Sequence, residues 1–394
     1  MNTAILQPEV QKFIHEYEGE ISKLAFSGSP FPNVSIQELL EQIDSRRKIK
    51  DKLSTWYTTS NIYFPPKLNL EQTSSELTAK YKSRLVQGSK MADITGGFGI
   101  DSYFFSKQFT QVDHFELSEE LSNIAAHNFE TLGIKNIRCF NKDGLNGVED
   151  ENYDLIYVDP SRRTDEQRKV FLLEDCTPDI VSNLDYLLSR TEILMVKTSP
   201  MLDISIGINS FNKVKEVHVV AVNNEVKELL WLLTSEKIHS PRIITVNLTK
   251  DSIASFDFIF GTQDISSTGD PGTYLYEPNA AILKSGGFST ISNRFTLLKL
   301  HKHTHLFTSD KLVDFPGRRF RIKRVVPYSK KEMKSGADFN RANITVRNFP
   351  ESVATLRNKW KIKDGGEIYV FFTTLTGERK VMLVCEKIGI NVDI

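Results

Sequence analysis

The stretch Asp93-Ile-Thr-Gly96-Gly97-Phe98-Gly99-Ile-Asp101 decides the fold of this 394-residue chain. It follows a short apolar run and precedes a segment with helical spacing, so we interpret it as the turn between a β-strand and an α-helix. Glycines allow positive φ angles and let the backbone approach a ligand without a Cβ atom in the way. The N–H groups of the following helix can then face the bound molecule, so the stretch predicts a ligand site.

Around this turn, short apolar runs alternate with amphipathic segments. Such alternation is typical of a mostly parallel sheet that is covered by helices, which is an α/β, Rossmann-like architecture. The predicted strands are 91–95, 112–117, 137–141, 155–159, 193–197, 216–222 and 243–248, and the predicted helices are about 101–108, 118–132, 171–189 and 224–234.

The flanking segments follow other patterns. Residues 1–58 repeat apolar positions at helical spacing, and the alternation fades after about residue 236. Residues 318–390 predict a small α+β unit, with strands near 320–326, 343–346, 367–373 and 380–385 and helices near 329–336 and 350–360. We therefore predict an N-terminal helical region at 1–69, a Rossmann-like domain at 70–235, a small α+β domain at 236–315 and a basic α+β domain at 316–394.

The net charge of zero conceals a strong segregation of charge along the sequence. Residues 81–235 contain 16 Lys and Arg against 24 Asp and Glu, whereas residues 316–361 contain 13 against 3. A separate basic segment in a neutral protein is a candidate for binding a polyanion, and a solvated charged surface is the alternative.

Composition also limits the cellular setting. The chain has three cysteines, no C-x-x-C pair, an acidic N-terminal region and no apolar run near the ~18 residues that a membrane span needs. We therefore expect a cytoplasmic protein without a membrane segment, disulfide or metal site. The sequence gives no indication of the oligomeric state.

Acidic residues after the next strands favour a particular cofactor. Glu116 ends the second strand 19 residues after Gly97, where it can accept hydrogen bonds from ribose hydroxyls, and Asp143 after the third strand can accept the adenine amino hydrogen. Ser102 stands where a dinucleotide fingerprint has its third glycine, and Asp93 suits a cationic sulfonium and ammonium ligand. These features favour S-adenosylmethionine over a dinucleotide, with a degenerate, non-catalytic fold as a further alternative.

The same motifs resemble class I S-adenosylmethionine-dependent methyltransferases. More narrowly, about residues 55–390 resemble a bacterial group of such enzymes with a C-terminal THUMP-like module. The stretches that carry this likeness are LEQTSSE at 70–76, YVDP at 157–160, YLYEPN at 274–279 and RANITVRNFP at 341–350. The resemblance implies a Rossmann-like sheet, C-terminal ferredoxin-like and THUMP-like modules, and a structured RNA as substrate, because THUMP domains proper occur in RNA-modifying enzymes.

The cofactor site is predicted from the turn, from the acidic residues and from a segment ahead of the first strand. In such enzymes that segment often covers the methionine end of the cofactor, although a simple helix N-cap is the alternative. The predicted cofactor-binding residues are Gln72, Ser74, Asp93, Thr95, Gly96, Gly97, Gly99, Asp101, Glu116, Leu117, Asp143 and Gly144.

The fourth strand ends in a motif that predicts how a nucleophile is held. The Asp159 carboxylate and the Pro160 carbonyl can accept the two hydrogens of an exocyclic base amine and orient its lone pair. Lys197 ends the fifth strand at the same edge and is predicted to line the pocket. Arg162 stands where amino-methyltransferases usually have a stacking aromatic, so Arg162 or Arg163 could stack on a base, contact a phosphate or form salt bridges within the acidic domain.

For the substrate we predict contacts from Arg163, Arg318, Arg319 and Lys323 to phosphates, which position an RNA without reading its sequence. No cysteine is placed beside Asp159, which disfavours methylation at carbon-5 of cytosine. A small-molecule N- or O-methyltransferase and an RNA-binding scaffold that retains a cofactor pocket remain open alternatives.

Overall fold

The computed structural model describes residues 1–162, 173–262 and 265–389. The chain folds into two structural units. Unit 1 comprises Met1–Val222, Lys227–Pro241 and Leu248–Lys250, and unit 2 comprises Asn223–Val226, Arg242–Asn247 and Asp251–Ile394.

Unit 1 begins with helices that pack against the segment containing the glycine turn. The indole of Trp56 contacts the ring of Phe98, which belongs to the turn, and the ring of Tyr103 in the following helix. The N-terminal region therefore supports the predicted ligand site directly. Its helices are α1 (Pro8–Glu16), α2 (Ile21–Ser27), α3 (Ile36–Ile49), α4 (Ser54–Thr58), α5 (Lys67–Gln72) and α6 (Glu76–Ser83), preceded by a 3-10 turn at Thr3–Leu6.

The main sheet of unit 1 contains strands in the order β8-β9-β7-β4-β1-β2-β3. Strands β1 to β4 and β7 pair in parallel, whereas β9 runs antiparallel to β7. The strands are β1 (Gly88–Asp93), β2 (Phe109–Phe115), β3 (Ile137–Phe140), β4 (Tyr153–Val158), β5 (Ser161–Arg162), β6 (Cys176–Thr177), β7 (Thr191–Thr198), β8 (Val214–Val222) and β9 (Glu225–Leu233), of which β5 and β6 form a separate two-residue ladder. The helices are α7 (Ile100–Phe105), α8 (Glu119–Thr131), α9 (Gly144–Gly147), α10 (Leu184–Leu188) and α11 (Ile204–Phe211).

All seven strands that the alternation predicts are present, but two predicted helices are wrong. Residues 224–234 form β9, because Asn223 and Asn224 adopt φ angles of 49° and 65° and turn the chain into a hairpin. Two consecutive positive φ angles are what a type I′ turn requires, and asparagine tolerates them. Within the described part of 171–189, only Leu184–Leu188 is α-helical, since Pro178 removes a backbone donor and restricts its predecessor.

Unit 2 is built on a seven-stranded sheet in the order β13-β14-β12-β15-β18-β17-β16. Strands from the predicted 236–315 and 316–394 domains are hydrogen-bonded within this one sheet, because β12 pairs with both β14 and β15. Its strands and helices are β12 (Tyr274–Pro278), α12 (Ala280–Ser285), α13 (Phe288–Arg294), β13 (Leu298–Lys299), β14 (Phe307–Ser309), β15 (Gly317–Pro327), α14 (Lys330–Gly336), β16 (Asn343–Arg347), α15 (Val353–Trp360), β17 (Ile368–Leu375) and β18 (Arg379–Lys387), preceded in the chain by β10 (Arg242–Leu248) and β11 (Ile253–Ile259).

The strands and helices predicted for the basic segment agree with β15 to β18, α14 and α15. Across the described ranges of the chain, no helix is both long and apolar enough to cross a membrane.

The Asn223–Asn224 hairpin can be tested by substitution. Asn223 is exposed, so a replacement there changes little packing, and its positive φ angle is the main constraint on the residue type. Asn223→Val should destabilise the protein by about 1–2 kcal/mol, since a β-branched residue in the left-handed region is strained. Asn223→Gly, the matched control, should unfold at the wild-type urea concentration or slightly above it. Unfolding followed by circular dichroism measures both changes, and equal stability of the valine variant would show that the turn does not constrain β9.

Candidate functional site

The glycine turn begins where β1 ends, and each of its backbone positions has a structural reason. Gly97 and Gly99 have φ angles of +56° and +85°. A Cβ atom on Gly96 would lie 2.2 Å from the His114 ring, and one on Gly99 would lie 2.4 Å from the ring of Phe129. A Cβ atom on Gly97 would meet nothing closer than the Thr95 carbonyl oxygen at 3.9 Å. The turn is therefore tightly packed at Gly96 and Gly99 and open at Gly97.

The turn and the carboxyl ends of β1, β2 and β4 border a cavity of about 760 Å³ in unit 1. This size is ordinary for a small-molecule site, for which roughly 300–1,000 Å³ is usual. All of the predicted cofactor-binding residues line it, together with Asp159, Pro160 and Lys197, because parallel strands bring their carboxyl ends to one edge of the sheet. Additional lining residues are Asn69, Thr73, Ile94, Phe98, Ile100, Phe115, Leu121, Leu145, Tyr157, Ser161, Thr177, Pro178, Thr198, Ser199 and Lys227.

Asp93 lies beneath the turn with 1% of its surface exposed. One of its carboxylate oxygens accepts a hydrogen bond from the Ser102 hydroxyl (2.6 Å), and the other accepts one from the Thr95 N–H (3.2 Å). Burial raises the pKa of Asp93 to about 7 and lowers the pKa of the adjacent His114 to about 4. The Ser102 hydroxyl also lies 3.0 Å from His114 Nδ1, so Ser102 and His114 support the turn from below.

Glu116 lies directly beside the turn, as the spacing of 19 residues predicts. Its Oε2 accepts a hydrogen bond from the Gly97 N–H (2.8 Å), and its Oε1 accepts one from the Ser118 N–H (2.7 Å). The next side chain, Leu117, borders the cavity and is 66% exposed. The Asn141 amide group donates to the carbonyl oxygens of Glu116 and Leu117 and fixes this loop, which the sequence alone did not indicate.

Asp143 follows β3 and caps the short helix α9. Its Oδ1 accepts hydrogen bonds from the N–H groups of Leu145 (2.8 Å) and Asn146 (3.3 Å), while no described residue donates to its Oδ2. A Cβ atom on Gly144 would lie 2.4 Å from the Ile94 carbonyl oxygen, so the two loops approach as closely as their backbones allow.

Asp159 and Lys197 form an ion pair at the ends of the adjacent strands β4 and β7. The Asp159 N–H donates to the Thr95 hydroxyl (2.7 Å), which ties the end of β4 to the glycine turn. Burial alone would lower the pKa of Lys197, but the carboxylates of Asp159, Asp101 and Glu228 outweigh it and raise that pKa above its usual value. Lys197 is therefore a cation that pairs with Asp159 Oδ2, and no described residue donates to Asp159 Oδ1.

A second cation, Lys82, is fully buried behind the cavity. Its ammonium group contacts Ser74 Oγ (2.9 Å), Asp101 Oδ2 (3.1 Å), Tyr157 Oη (3.2 Å) and Glu228 Oε2 (3.3 Å). This network contains the predicted residues Ser74 and Asp101 and three residues that were not predicted to belong to the site, namely Lys82, Tyr157 and Glu228.

Two of these missed residues were hidden for different reasons. Glu228 lies on β9, which had been predicted as a helix, so its place beside the cavity could not be anticipated. Lys82 lies on α6, where a lysine ordinarily indicates a solvated face. A lone acidic residue in the apolar run 225–233 is the one signal that could have identified Glu228.

Of the arginine pair after Asp159, the structure describes only the backbone of Arg162. The backbone of Arg162 pairs with Cys176 in the β5–β6 ladder. The Arg162 side chain and the whole of Arg163 lie outside the described residues, so their predicted contacts with a base or phosphate stay predictions. In residues 1–162, 173–262 and 265–389, no group of three His, Cys, Asp or Glu side chains is arranged to hold a metal ion.

The predicted phosphate contacts in unit 2 stay predictions, and the structure shows that all three residues already have partners within the unit. Arg318 donates to Glu277 Oε2 (2.7 Å through Nε), and Lys323 pairs with Glu386 at 2.7 Å. Arg319 is buried, pairs with Asp314 and donates to the Gly389 carbonyl oxygen. Arg319 is therefore shielded from solvent, whereas the side chains of Arg318 and Lys323 are still partly exposed.

Comparison with known families assigns three parts of the chain. Residues 34–164 match the protein-L-isoaspartate(D-aspartate) O-methyltransferase family, residues 274–316 match a ferredoxin-like domain family, and residues 317–387 match a THUMP domain-like family. The predicted α/β fold with C-terminal ferredoxin-like and THUMP-like modules is thereby confirmed. No curated protein matches the chain.

A solved structure matches nearly the whole chain. It belongs to a protein from Porphyromonas gingivalis W83 that is assigned as a methyltransferase, with 32% identity, a TM-score of 0.89, and coverage of 98% of this chain and 99% of that one. Two methyltransferase structures match only at TM-scores of 0.30 and 0.29 and carry no argument here. They are an assigned methyltransferase from Streptococcus mutans in complex with SAH (18% identity, 41% and 97% coverage) and the M. jannaschii tRNA m1G37 methyltransferase (12% identity, 42% and 51% coverage).

The buried Asp93 generates a prediction about stability. Because burial raises its pKa from 3.8 to about 7, the folded state holds the Asp93 proton more tightly than the unfolded state does. The stability that this proton contributes is complete below pH 4 and is lost as the pH rises to 7. The free energy of unfolding of the wild-type protein should therefore fall by about 2–3 kcal/mol between pH 5 and pH 8 because of Asp93. Urea unfolding of the ligand-free protein should show Asp93→Asn gaining stability relative to wild type by that amount. A difference that is constant across this pH range would contradict the raised pKa.

Proposed function

Because the chain belongs to the family of methyltransferases that carry C-terminal ferredoxin-like and THUMP-like domains, we propose that it transfers the methyl group of S-adenosylmethionine to a base amine in structured RNA. The observation that carries the proposal is the Asp159–Lys197 pair, which borders an acidic cavity beside the glycine turn.

The charge of the cavity suits a cationic cofactor. The acidic residues that line the cavity are Asp93, Asp101, Glu116, Asp143 and Asp159, and the basic residues that line it are Lys197 and Lys227. Carboxyl groups therefore outnumber ammonium groups, and the buried Lys82–Glu228 pair adds no net charge. S-adenosylmethionine carries a sulfonium, an ammonium and one carboxylate, so its net charge of about +1 is complementary.

The acceptors at the other end of the cavity suit a nucleoside. Glu116 has its carboxylate beside Gly97, Asp143 has one carboxylate oxygen to which no described residue donates, and Leu117 offers an exposed apolar face. Ribose hydroxyls, an adenine amino group and an adenine ring need these three environments respectively. A dinucleotide is disfavoured, since Ser102 replaces the third glycine of that fingerprint and bonds to Asp93.

The bound cofactor would supply an electrophilic methyl group on sulfur. Asp159 Oδ1 and the Pro160 carbonyl oxygen would accept the hydrogens of the attacking amine and thereby orient its lone pair. As the new nitrogen–carbon bond forms, the sulfur–methyl bond would break and leave S-adenosylhomocysteine, and Asp159 would take up the proton that the amine loses. Lys197 holds the carboxylate in place through the ion pair, and Thr95 holds it through the Asp159 N–H.

The pair also offers a reason to prefer a base over other acceptors. Lys197 is a donor and Asp159 is an acceptor, and they lie side by side. Adenine and cytosine carry an amino group next to a ring nitrogen, which is the complementary arrangement of donor and acceptor. A scaffold protein would have no use for such a pair, whereas a small molecule with a similar edge would also fit and forms the alternative substrate class.

Cofactor binding is tested by titration calorimetry of the full chain. S-adenosylmethionine and S-adenosylhomocysteine should bind, and NAD should not. Glu116→Ala should raise both dissociation constants about 10–100-fold, because it removes charge-assisted hydrogen bonds to the ribose. Glu119→Ala, which removes an exposed carboxylate three residues away, should leave them within threefold. NAD binding without affinity for S-adenosylmethionine would contradict the assignment.

The acceptor is tested by incubating the protein and methyl-labelled cofactor with separate cellular RNA, DNA, protein and metabolite fractions. We expect label in RNA, on an exocyclic nitrogen of adenine or cytosine after nuclease digestion. Asp159→Asn should reduce turnover at least 100-fold while the cofactor affinity changes less than threefold. Asp185→Asn, an exposed carboxylate in the same unit, is the control and should keep wild-type turnover. Label in the metabolite or protein fraction alone would exclude RNA as the substrate.

A further inference from the structure

The basic segment of unit 2 contains far less available positive charge than its composition suggests. Seven of its arginines and lysines have an acidic partner within unit 2, and the buried Glu277 alone binds two of them. These pairs are Arg318–Glu277, Arg347–Glu277, Arg319–Asp314, Lys323–Glu386, Arg324–Asp338, Arg357–Asp364 and Lys359–Glu351.

Four lysines of the basic segment, Lys330, Lys331, Lys334 and Lys361, have no acidic partner among the described residues, and three of them border the same site. Lys330, Lys334 and Lys361 are exposed, and all three border one cavity of about 750 Å³ in unit 2. Lys330 and Lys334 lie one helical turn apart on α14, and Lys361 directly follows α15. Three of the four unpaired lysines of the basic segment therefore lie at the rim of a single concave site.

The wall of this cavity is aromatic and rigid. The Tyr328 ring makes edge contacts with Phe349 (4.9 Å between centroids) and Phe372 (5.8 Å). Its hydroxyl donates to Glu351 Oε1 (2.6 Å) and accepts a hydrogen bond from Trp360 Nε1 (3.3 Å). Tyr328 and Trp360 are thus held in place before any ligand arrives, and both remain partly exposed.

We propose that this site, the lysine–aromatic cavity, binds a single-stranded segment of RNA, with a base stacked on Trp360 and phosphates contacted by the lysines at the rim. The inference rests on the proposed function, which supplies RNA as the substrate. The cavity is lined by Tyr328, Ser329, Lys330, Met333, Lys334, Ala337, Lys359, Trp360 and Lys361.

The chemistry of the cavity favours a strand over other anions. Aromatic faces bind unpaired bases of any identity, and a duplex does not expose them. Lysine ammonium groups act as separate point charges, which suits successive phosphates along a chain better than one chelated phosphate group. The partly exposed Ala337 gives a base a further apolar contact but offers nothing to a bare phosphate ion.

Tryptophan fluorescence of the full chain provides a selective readout. The chain has three tryptophans, and Trp56 and Trp231 are only 1% and 0% exposed. A single-stranded RNA of 12 nucleotides and mixed sequence should therefore quench Trp360 and protect it from acrylamide. The same sequence as a duplex should do so at least tenfold less effectively, and AMP should not compete at equal concentration.

The rim lysines are tested by charge reversal with a matched control. The double variant Lys330→Glu, Lys334→Glu should lower affinity for the 12-mer at least tenfold and reduce the salt dependence by about 1.4, since each lost single-strand phosphate contact contributes ~0.7. The variant Lys331→Glu, Lys363→Glu makes the same charge change at two exposed lysines outside the cavity and should alter affinity less than threefold. Circular dichroism verifies that both variants fold.

Three results would overturn the inference: equal losses in the two variants, equal binding of duplex and single strand, or full competition by AMP. Its failure is separable from failure of the proposed function. RNA that is methylated with an unchanged KM by the cavity variant would refute the cavity alone. Binding that quenches Trp360, combined with no label in any RNA fraction, would refute the proposed activity and leave the cavity assignment standing.

Discussion

The buried ammonium group of Lys82 is the constraint on which the rest of unit 1 depends. Removing a cation from water costs several kcal/mol, and only well-placed carboxylates and hydroxyls offset that cost. Lys82 finds them on the segment before α6, on α7, on β4 and on β9. One side chain thus fixes four separate segments around the cavity. Removing one partner of such a buried pair typically costs about 3–5 kcal/mol, so these groups cannot be exchanged singly.

The same network determines the electrostatics of the site. Burial raises the pKa of Glu228, whereas the two lysines overcome burial and lower the pKa of Asp101. Lys197 is kept cationic by the carboxylates around it, and its ion pair holds Asp159 at the edge of the cavity. The proposed cofactor-binding residue Asp101 and the proposed catalytic residue Asp159 are therefore coupled electrostatically, because Lys197 interacts with both carboxylates.

Unit 2 shows how composition and surface charge diverge. Its basic segment reads as a phosphate-binding surface, yet most of its arginines neutralise acidic residues of the same unit. Glu277 is the clearest case, since it lies on β12, outside that segment, and binds Arg318 and Arg347 on β15 and β16. The ferredoxin-like and THUMP-like parts share one sheet and this buried acid, so removing one part would leave the other with an unpaired charge and an exposed strand edge.

The sequence by itself determined the α/β fold, the seven strands found by periodicity and the residues of the glycine turn. These features are local, because an alternating strand pattern, a turn sequence and an acidic residue at the end of a strand can each be recognised in a stretch of about ten residues. Asp101 belongs to the glycine turn, whereas Glu116 was predicted from its spacing after the turn and Ser74 from the place of its segment in similar enzymes; all three line the cavity. What the tertiary structure decided is which charges meet. Lys82 with Glu228, Asp159 with Lys197 and Arg318 with Glu277 are 146, 38 and 41 residues apart in the chain. A sequence reports the charge of each side chain, but ion pairing depends on distances of a few ångströms, and only the fold establishes those distances.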